Sequence, residues 1–417
     1  MNGWNQTTIG DQITLQRGVD ITKKETVFGK VPVISSGGIS AWHNQPINEG
    51  PGVVIGRKGS LGTVWWSEGP FWPHDTTLWV KDFKGNNRRF VYYFLTTLDT
   101  KGLDVGAANP TLNRNHVHPL PIVWPTRSQQ DEIAAVLGAL DDKIELNRKT
   151  AATLEAMARA LYRSWFVDFA PVHAKADGRT PAHMPPETAA LFPARFGPDG
   201  LPEGWNMEPL KLHVNVQKGL SYKGAFLASE TDGLPLHNLN SVATHGGYSD
   251  QGIKFYNGEY RERHVVQAGD LIVANTDLTM NEIVIGFPAI IPKRLGPSGL
   301  FSHHLFKVEV AEGSPLSVPW LYCALSSSWI GRSVRAFANG TTVNMLPKDA
   351  FEIPEIPCPP KKVVETFDAV VAPMFEKQDD LQLEIQTLAQ LRDTLLPRLM
   401  SGELRVGEAK ELVEDVA

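Results

Sequence analysis

The stretch WNQTTIGDQITLQRG at 4–18 returns as WNMEPLKLHVNVQKG at 205–219. Trp4/Trp205, Asn5/Asn206, Gln16/Gln217 and Gly18/Gly219 are identical at constant spacing, and Ile9/Leu210, Ile13/Val214, Leu15/Val216 and Arg17/Lys218 are conservative pairs. A chain that repeats a whole arrangement folds as repeated units, each with its own core, so this duplication limits the fold more than any local propensity does. The order continues downstream with growing offsets: VVIGRKG (53–59) matches LIVANTD (271–277), His74 matches His303, and TLN (111–113) matches TVN (342–344). Insertions in the second copy account for the drift. Both copies close on proline-rich punctuation, HPLPIVWP (118–125) and EIPEIPCPP (352–360), and each is followed by a long helical pattern.

That pattern is a heptad seam. Ile133, Leu137, Leu140, Ile144, Asn147, Ala151, Leu154, Ala158 and Leu161 alternate steps of four and three, and Leu381, Ile385, Leu388, Arg392, Leu395 and Leu399 follow the same alternation after the second copy. The two helices are expected to pair as an antiparallel coiled coil, with Asn147 as a polar position on the seam. Ser128 with Asp131 predicts the N-terminal cap of the first helix. Leu395, Leu396 and Pro397 predict that the second kinks or ends there, with Gly402 closing it. The boundaries are 1–125 for the first globule, 126–166 for the central helix, 167–204 for an extended Pro/Gly/Ala-rich linker with one short helical turn, 205–358 for the second globule, 359–402 for the C-terminal helix, and 403–417 for an acidic tail expected to fray.

With 36 Gly, 30 Pro, 11 Trp and 18 Phe the globules read as strand-rich and turn-rich, so the fold class is α+β and an all-helical chain is excluded. Two cysteines cannot build a disulfide framework or a four-thiolate zinc site. There is no 18-residue apolar run, and the opening residues lack a basic stretch leading into an apolar one, so a cytoplasmic protein with no membrane partner is expected. No phosphate loop, zinc-protease helix or nucleophile elbow is present. Asn109-Pro110 begins like a methyltransferase N-P-P-[YF] tetrapeptide, but Thr111 and Leu112 break it. His303-His304 and His116-x-His118 lack a companion carboxylate or cysteine at ligand spacing. Neither catalytic nor metal residues are expected.

The net charge of −6 argues against a nucleic-acid partner only if it is spread evenly, and it is not. Residues 359–417 carry 12 acidic against 7 basic groups, whereas 1–125 carry 12 basic against 9 acidic. Within the globules, basic and amide residues cluster in turn-like stretches. The DNA-contact candidates are Lys23, Lys24, Arg57, Lys58, Asn113 and Arg114 in the first copy, and Tyr222, Lys223, Arg261, Arg263, Asn275 and Asn344 in the second. Arg and Asn make bidentate contacts to guanine and adenine edges, and Arg57 aligns with Asn275, so two copies differing there would read different sequences. Asn113 and Asn344 are equally suited to capping turns.

The helix and linker strings carry a resemblance. ALYRSWFVDF (160–169), TAALFPARF (188–196), LPEGW (201–205) and LRDTLLPRLMSGEL (391–404), within a duplicated globule-helix plan that spans nearly the whole chain, resemble the specificity subunits of type I restriction-modification enzymes. PTRSQQ (125–130) looks like the family's entry into its helix, and PPKKVV (359–364) departs from it. The resemblance implies two target recognition domains, each reading half of a bipartite double-stranded DNA site, with the helices setting the spacer. It implies a prokaryotic source and no cofactor in this chain. S-adenosylmethionine, ATP and Mg would belong to the partners, two modification and two restriction subunits. A scaffold that binds proteins and never touches DNA is the competing reading.

Overall fold

The computed structural model describes residues 3–22, 24–100, 111–277, 283–340 and 344–414. It divides into two compact units, residues 1–146 with 384–417, and residues 147–383. No helix among the described residues is long and apolar enough to cross a membrane.

The first unit is built on a four-stranded antiparallel sheet in the order Thr14–Arg17, Thr77–Asp82, Gly52–Gly56, Val64–Ser67. Every residue of Gly52–Gly56 is buried, as expected for an unbroken apolar run in a central strand. A smaller sheet joins Gly38–His43, Val31–Ser35 and Trp72–Pro73, the last pair parallel. Trp4–Thr8 and Pro121–Pro125 pair as a ladder that closes the unit just before the central helix. The helix Arg88–Thr96 is capped by Asn87, whose side chain accepts the Arg89 and Phe90 N–H groups, and it buries Phe90, Val91, Tyr93 and Leu95.

The second unit repeats this plan in its four-stranded sheet, closing ladder and capped helix. Its four-stranded sheet runs Val214–Lys218, Leu305–Val310, Leu271–Ala274, Pro288–Ile290. Registers correspond: Leu15 faces Val80 and Val54 faces Trp79, while Val216 faces Val308 and Ile272 faces Lys307. The closing ladder is Asn206–Pro209 with Glu355–Cys358, and the capped helix is Val318–Ser326, with Ser317 accepting the Trp320 N–H. The inserted residues enlarge the second sheet to five strands, keeping the parallel pair as Leu236 opposite Leu300. The α+β reading therefore holds in each unit.

The long helices run Arg127–Tyr162, followed by a π-helical turn Arg163–Val167, and Lys361–Met400. They fit a coiled coil. Ile133, Leu137, Leu140, Ile144, Leu381, Ile385, Leu388, Leu395 and Leu399 are buried, and Leu154 and Leu161 are half-buried. Asn147 is 3% exposed. In the first unit Arg392 pairs with Asp141 at 2.7 Å and Lys143 with Glu384 at 3.1 Å, so residue numbers rise along one helix as they fall along the other. In the second unit Gln378 Nε2 donates to Glu155 Oε2 at 3.3 Å.

Three boundary expectations are corrected. The cap of the central helix is Thr126, which shares Gln129 Oε1 through its N–H and hydroxyl, and not Ser128; Asp131 instead accepts from Asn87 and Arg127. Residues 167–204 are no extended linker. Phe166, Phe169, Val172, Phe192, Leu201 and Trp205 are buried in the second unit's core, because aromatic side chains spaced through the Pro/Gly stretch anchor it. The tail does not simply fray: Val406–Glu414 is helical, and Leu404 and Ala409 join the first unit's core. Pro397 is accommodated inside the C-terminal helix, which ends at Met400 ahead of Gly402 in the left-handed region.

Candidate nucleic-acid interface

In the first unit one set of backbone bonds gathers several basic side chains at the strand ends. The Arg57 and Lys58 N–H groups both donate to the Thr76 carbonyl, at 2.9 and 3.1 Å, and the Leu112 N–H donates to the Arg57 carbonyl at 2.9 Å. A bridge from Lys58 to Thr111 completes the crossing, which brings Asn113 and Arg114 to the same place. Arg17 ends the neighbouring strand and holds Asp75 at 2.7 Å. Gly18 is required there, since a Cβ on it would stand 2.1 Å from the His74 carbonyl oxygen.

The second unit makes the same bonds from different residues. The Asn275 N–H donates to the His304 carbonyl at 3.0 Å, and the Leu346 N–H donates to the Asn275 carbonyl at 2.8 Å. A Cβ on Gly219 would stand 2.3 Å from the Ser302 carbonyl, which explains why this glycine recurs in both copies. Lys218 therefore replaces Arg17, Asn275 replaces Arg57, Thr276 replaces Lys58, and His303-His304 replace Asp75-Thr76.

These bonds correct two of the sequence matches. His74 and Ser302 donate equivalent N–H groups to Ile34 and His237, so His303 is the counterpart of Asp75 and not of His74. Leu112 and Leu346 are equivalent, so TLN answers to Met345-Leu346-Pro347, three residues beyond TVN. A match of short polar strings cannot register a segment that follows large insertions. The shared backbone bonds can.

The electrostatics differ between the two sites. In the first, burial pushes the Arg57 guanidinium below its ordinary pKa and neighbouring Arg17 adds to this, with Asp75 opposing. Against burial, which raises it, the Arg17 hydrogen bond with His74 and Lys58 nearby holds the Asp75 carboxyl below the usual range. In the second, burial, then His303, Lys218 and Lys254, keep His304 below its ordinary pKa, and His304 Nδ1 lies 3.0 Å from Thr276 Oγ1. Lys254 donates to the Tyr222 hydroxyl at 2.7 Å, and the His303 and His304 rings lie 3.9 Å apart. Four polar atoms at these two equivalent places are buried without a hydrogen-bond partner: Arg57 Nη1, Asn275 Oδ1, Ser302 Oγ and His303 Nδ1. Unpaired buried polar atoms are costly; one lies in the first unit's cluster and three in the second's.

Not every candidate belongs to these clusters. Lys24 is exposed in a turn, and Lys23 lies outside the described residues. Asn113 caps the short helix Arg114–Val117 by accepting the Asn115 N–H at 3.0 Å, while Arg114 is exposed. Asn344 is half-buried and pairs with Asp277 in a two-stranded ladder. Asn275 is 1% exposed and its amide donates to the His303 carbonyl, so it shapes the site's floor instead of projecting from it. Lys223 is exposed beside Tyr222, and Arg261 and Arg263 are exposed in the turn leading to the edge strand Val265–Gln267. Sequence reasoning missed Lys254, His304 and Asp75 as members. Arg17 and Lys218 were visible as an aligned basic pair at the strand end and could have been included. His118 is structural, with Nε2 accepting the Leu15 N–H.

Comparison with known proteins places these sites in context. Residues 1–156 match the family model for the type I restriction modification DNA specificity domain. The chain is 25% identical over 334 residues to the type I restriction enzyme MjaIX specificity subunit of Methanocaldococcus jannaschii, covering 76% of this chain and 69% of that one. It is 25% identical over 344 residues to the type I restriction enzyme HindI specificity subunit of Haemophilus influenzae, covering 71% of each. The crystal structure of a type I restriction-modification system S subunit from M. genitalium shares the fold with a TM-score of 0.60 at 16% identity, over 95% of this chain and 96% of that one.

Proposed function

We propose, from the premise that the chain belongs to the family of type I restriction-modification specificity subunits, that its two units read the two halves of one bipartite DNA target. Specificity subunits are the non-catalytic, DNA-recognising components of these complexes, with the enzymatic activities in other subunits. The observation that carries the reading is the pair of equivalent strand-end clusters, one backbone scaffold lined by Arg17, Arg57 and Lys58 in one unit and by Lys218, Asn275 and His304 in the other. A shared scaffold with exchanged side chains is what two recognition sites of common origin and different sequence preference require. Exposed Lys and Arg would position the duplex through phosphates, and the cluster side chains that reach the surface, Arg57 among them, would meet base edges above a floor shaped by Asn275 in the second unit.

The long helices, fitting an antiparallel coiled coil, would set the spacer between the half-sites, since half-site separation on DNA is a rigid geometric quantity. Two modification subunits would supply S-adenosylmethionine-dependent adenine methylation. Two restriction subunits would supply ATP- and Mg-dependent cleavage.

The test is binding of the purified subunit complex to duplexes carrying and lacking the methylated sequence, over a range of salt. The reading expects tight, salt-dependent and sequence-dependent binding. Salt-insensitive or absent binding would favour a protein scaffold.

A further inference from the structure

The ladder that closes the second unit carries a cluster absent from its first-unit counterpart. Glu208 lies on the strand Asn206–Pro209, Cys358 ends the strand Glu355–Cys358, and His213 follows the short turn Leu210–Leu212. Their ligand atoms, a carboxylate oxygen, Sγ and an imidazole nitrogen, all lie within 4.8 Å of one another. In the first unit the equivalent positions are Thr7, Gln12 and Trp124. There Gln12 Nε2 donates to Thr7 Oγ1 at 3.1 Å and Trp124 Nε1 donates to Asn86 Oδ1 at 2.8 Å, while the one carboxylate on this corner, Asp11, accepts from Thr7 and Thr8. The fold therefore does not need ionisable groups at these three positions.

A second observation points to a ligand. His213 is 3% exposed, and its Nε2 has no hydrogen-bond partner although it stands 3.1 Å from Glu208 Oε2. Its Nδ1 lies 3.1 Å from Ser314 Oγ. With Nδ1 donating to that hydroxyl, the Nε2 lone pair is turned toward the carboxylate and the thiol, and a cation seated among the three would satisfy all of them. Nitrogen, thiolate and carboxylate donors suit zinc, whose bonds of about 2.0–2.3 Å at tetrahedral angles separate ligand atoms by about 3.3–3.8 Å. Calcium and magnesium, which prefer oxygen alone, fit this donor set poorly. Closing the set needs side-chain movements of about 1 Å. The Glu208 side chain is 35% exposed, which leaves the fourth position to water.

We propose that Glu208, His213 and Cys358 form a zinc-class metal site that ties the closing ladder of the second unit together, three residues ahead of the start of the C-terminal helix at Lys361. His213 Nδ1 held by Ser314 is the orienting contact such a ligand histidine usually has.

The experiment is titration of the purified full-length, metal-free chain with zinc alone and with cobalt(II) alone. One equivalent should bind, with release of protons and a rise in the thermal midpoint. Cobalt should give a thiolate charge-transfer band in the near ultraviolet and tetrahedral visible bands. Cys358→Ser should abolish the charge-transfer band, Cys323→Ser should keep it, and Glu208→Gln and His213→Gln should weaken zinc binding tenfold or more. Circular dichroism checks that each variant folds; should His213→Gln not fold, the half-buried Cys358 and Glu208 positions decide. A wild-type chain without the band, or a band that survives Cys358→Ser, overturns the proposal and leaves a plain His213–Glu208 ion pair.

Discussion

At one backbone position the first unit presents a guanidinium, Arg57, and the second an amide, Asn275. Arg57 is half-buried with an unpaired Nη1 in the strand-end cluster proposed to read bases, whereas Lys58 beside it suits a phosphate contact. Arg57→Gln is therefore expected to reduce discrimination at one base of the first half-site by about 1–3 kcal/mol. Lys58→Ala is expected to weaken binding evenly across sequences and lower the salt slope by about one. Competition binding with single-base variants separates the two effects. His237 gives a residue-scale prediction about stability. It is buried against the Tyr248 hydroxyl at 2.7 Å, and burial lowers its pKa from the ordinary 6.5 to about 4. The unfolded chain takes up this proton near 6.5 and the folded chain only near 4, so stability is lost as pH falls through that window, by on the order of 3 kcal/mol. Urea unfolding at pH 7 and pH 4 should show His237→Gln losing less than the wild type; an equal loss would show that His237 does not carry the effect.

At the scale of elements, periodicity was the clearest signal in the sequence. The heptad seam was legible because Ile133, Leu137, Leu140 and Ile144 obey one spacing that only a helix satisfies, and all four are buried. Leu137→Ala is expected to cost about 2–5 kcal/mol in the first unit, measured by denaturant unfolding. The stretch 167–204 was misread because Pro and Gly content speaks for local chain stiffness, while the packing of Phe192 against Trp165 is a tertiary fact. Phe192→Ala should cost about 3–5 kcal/mol, where an extended linker would lose almost nothing. The candidate site was half legible. Arg57 and Lys58 stood out as a basic pair in a duplicated segment, but Lys254 and His304 reach the second cluster through strand pairings that no local pattern announces.

At the scale of the whole molecule, the duplication is the feature on which the proposed function rests, since each unit carries the same four-strand order and the same strand-end backbone bonds. Net charge was a poor guide because most of the excess acidity sits in residues 359–417 and not in the first globule. If the helices set the spacer, lengthening the central helix near Asn147–Thr150, with a matching insertion in its partner, should widen the gap between the half-sites and leave both half-sites intact. The most direct test of the two-reader account is to exchange residues 1–125 for the corresponding domain of a relative and map the methylated adenines in DNA from cells carrying the system. The account predicts that one half of the methylated sequence changes and the other stays. A change in both halves together, or in neither, would contradict it.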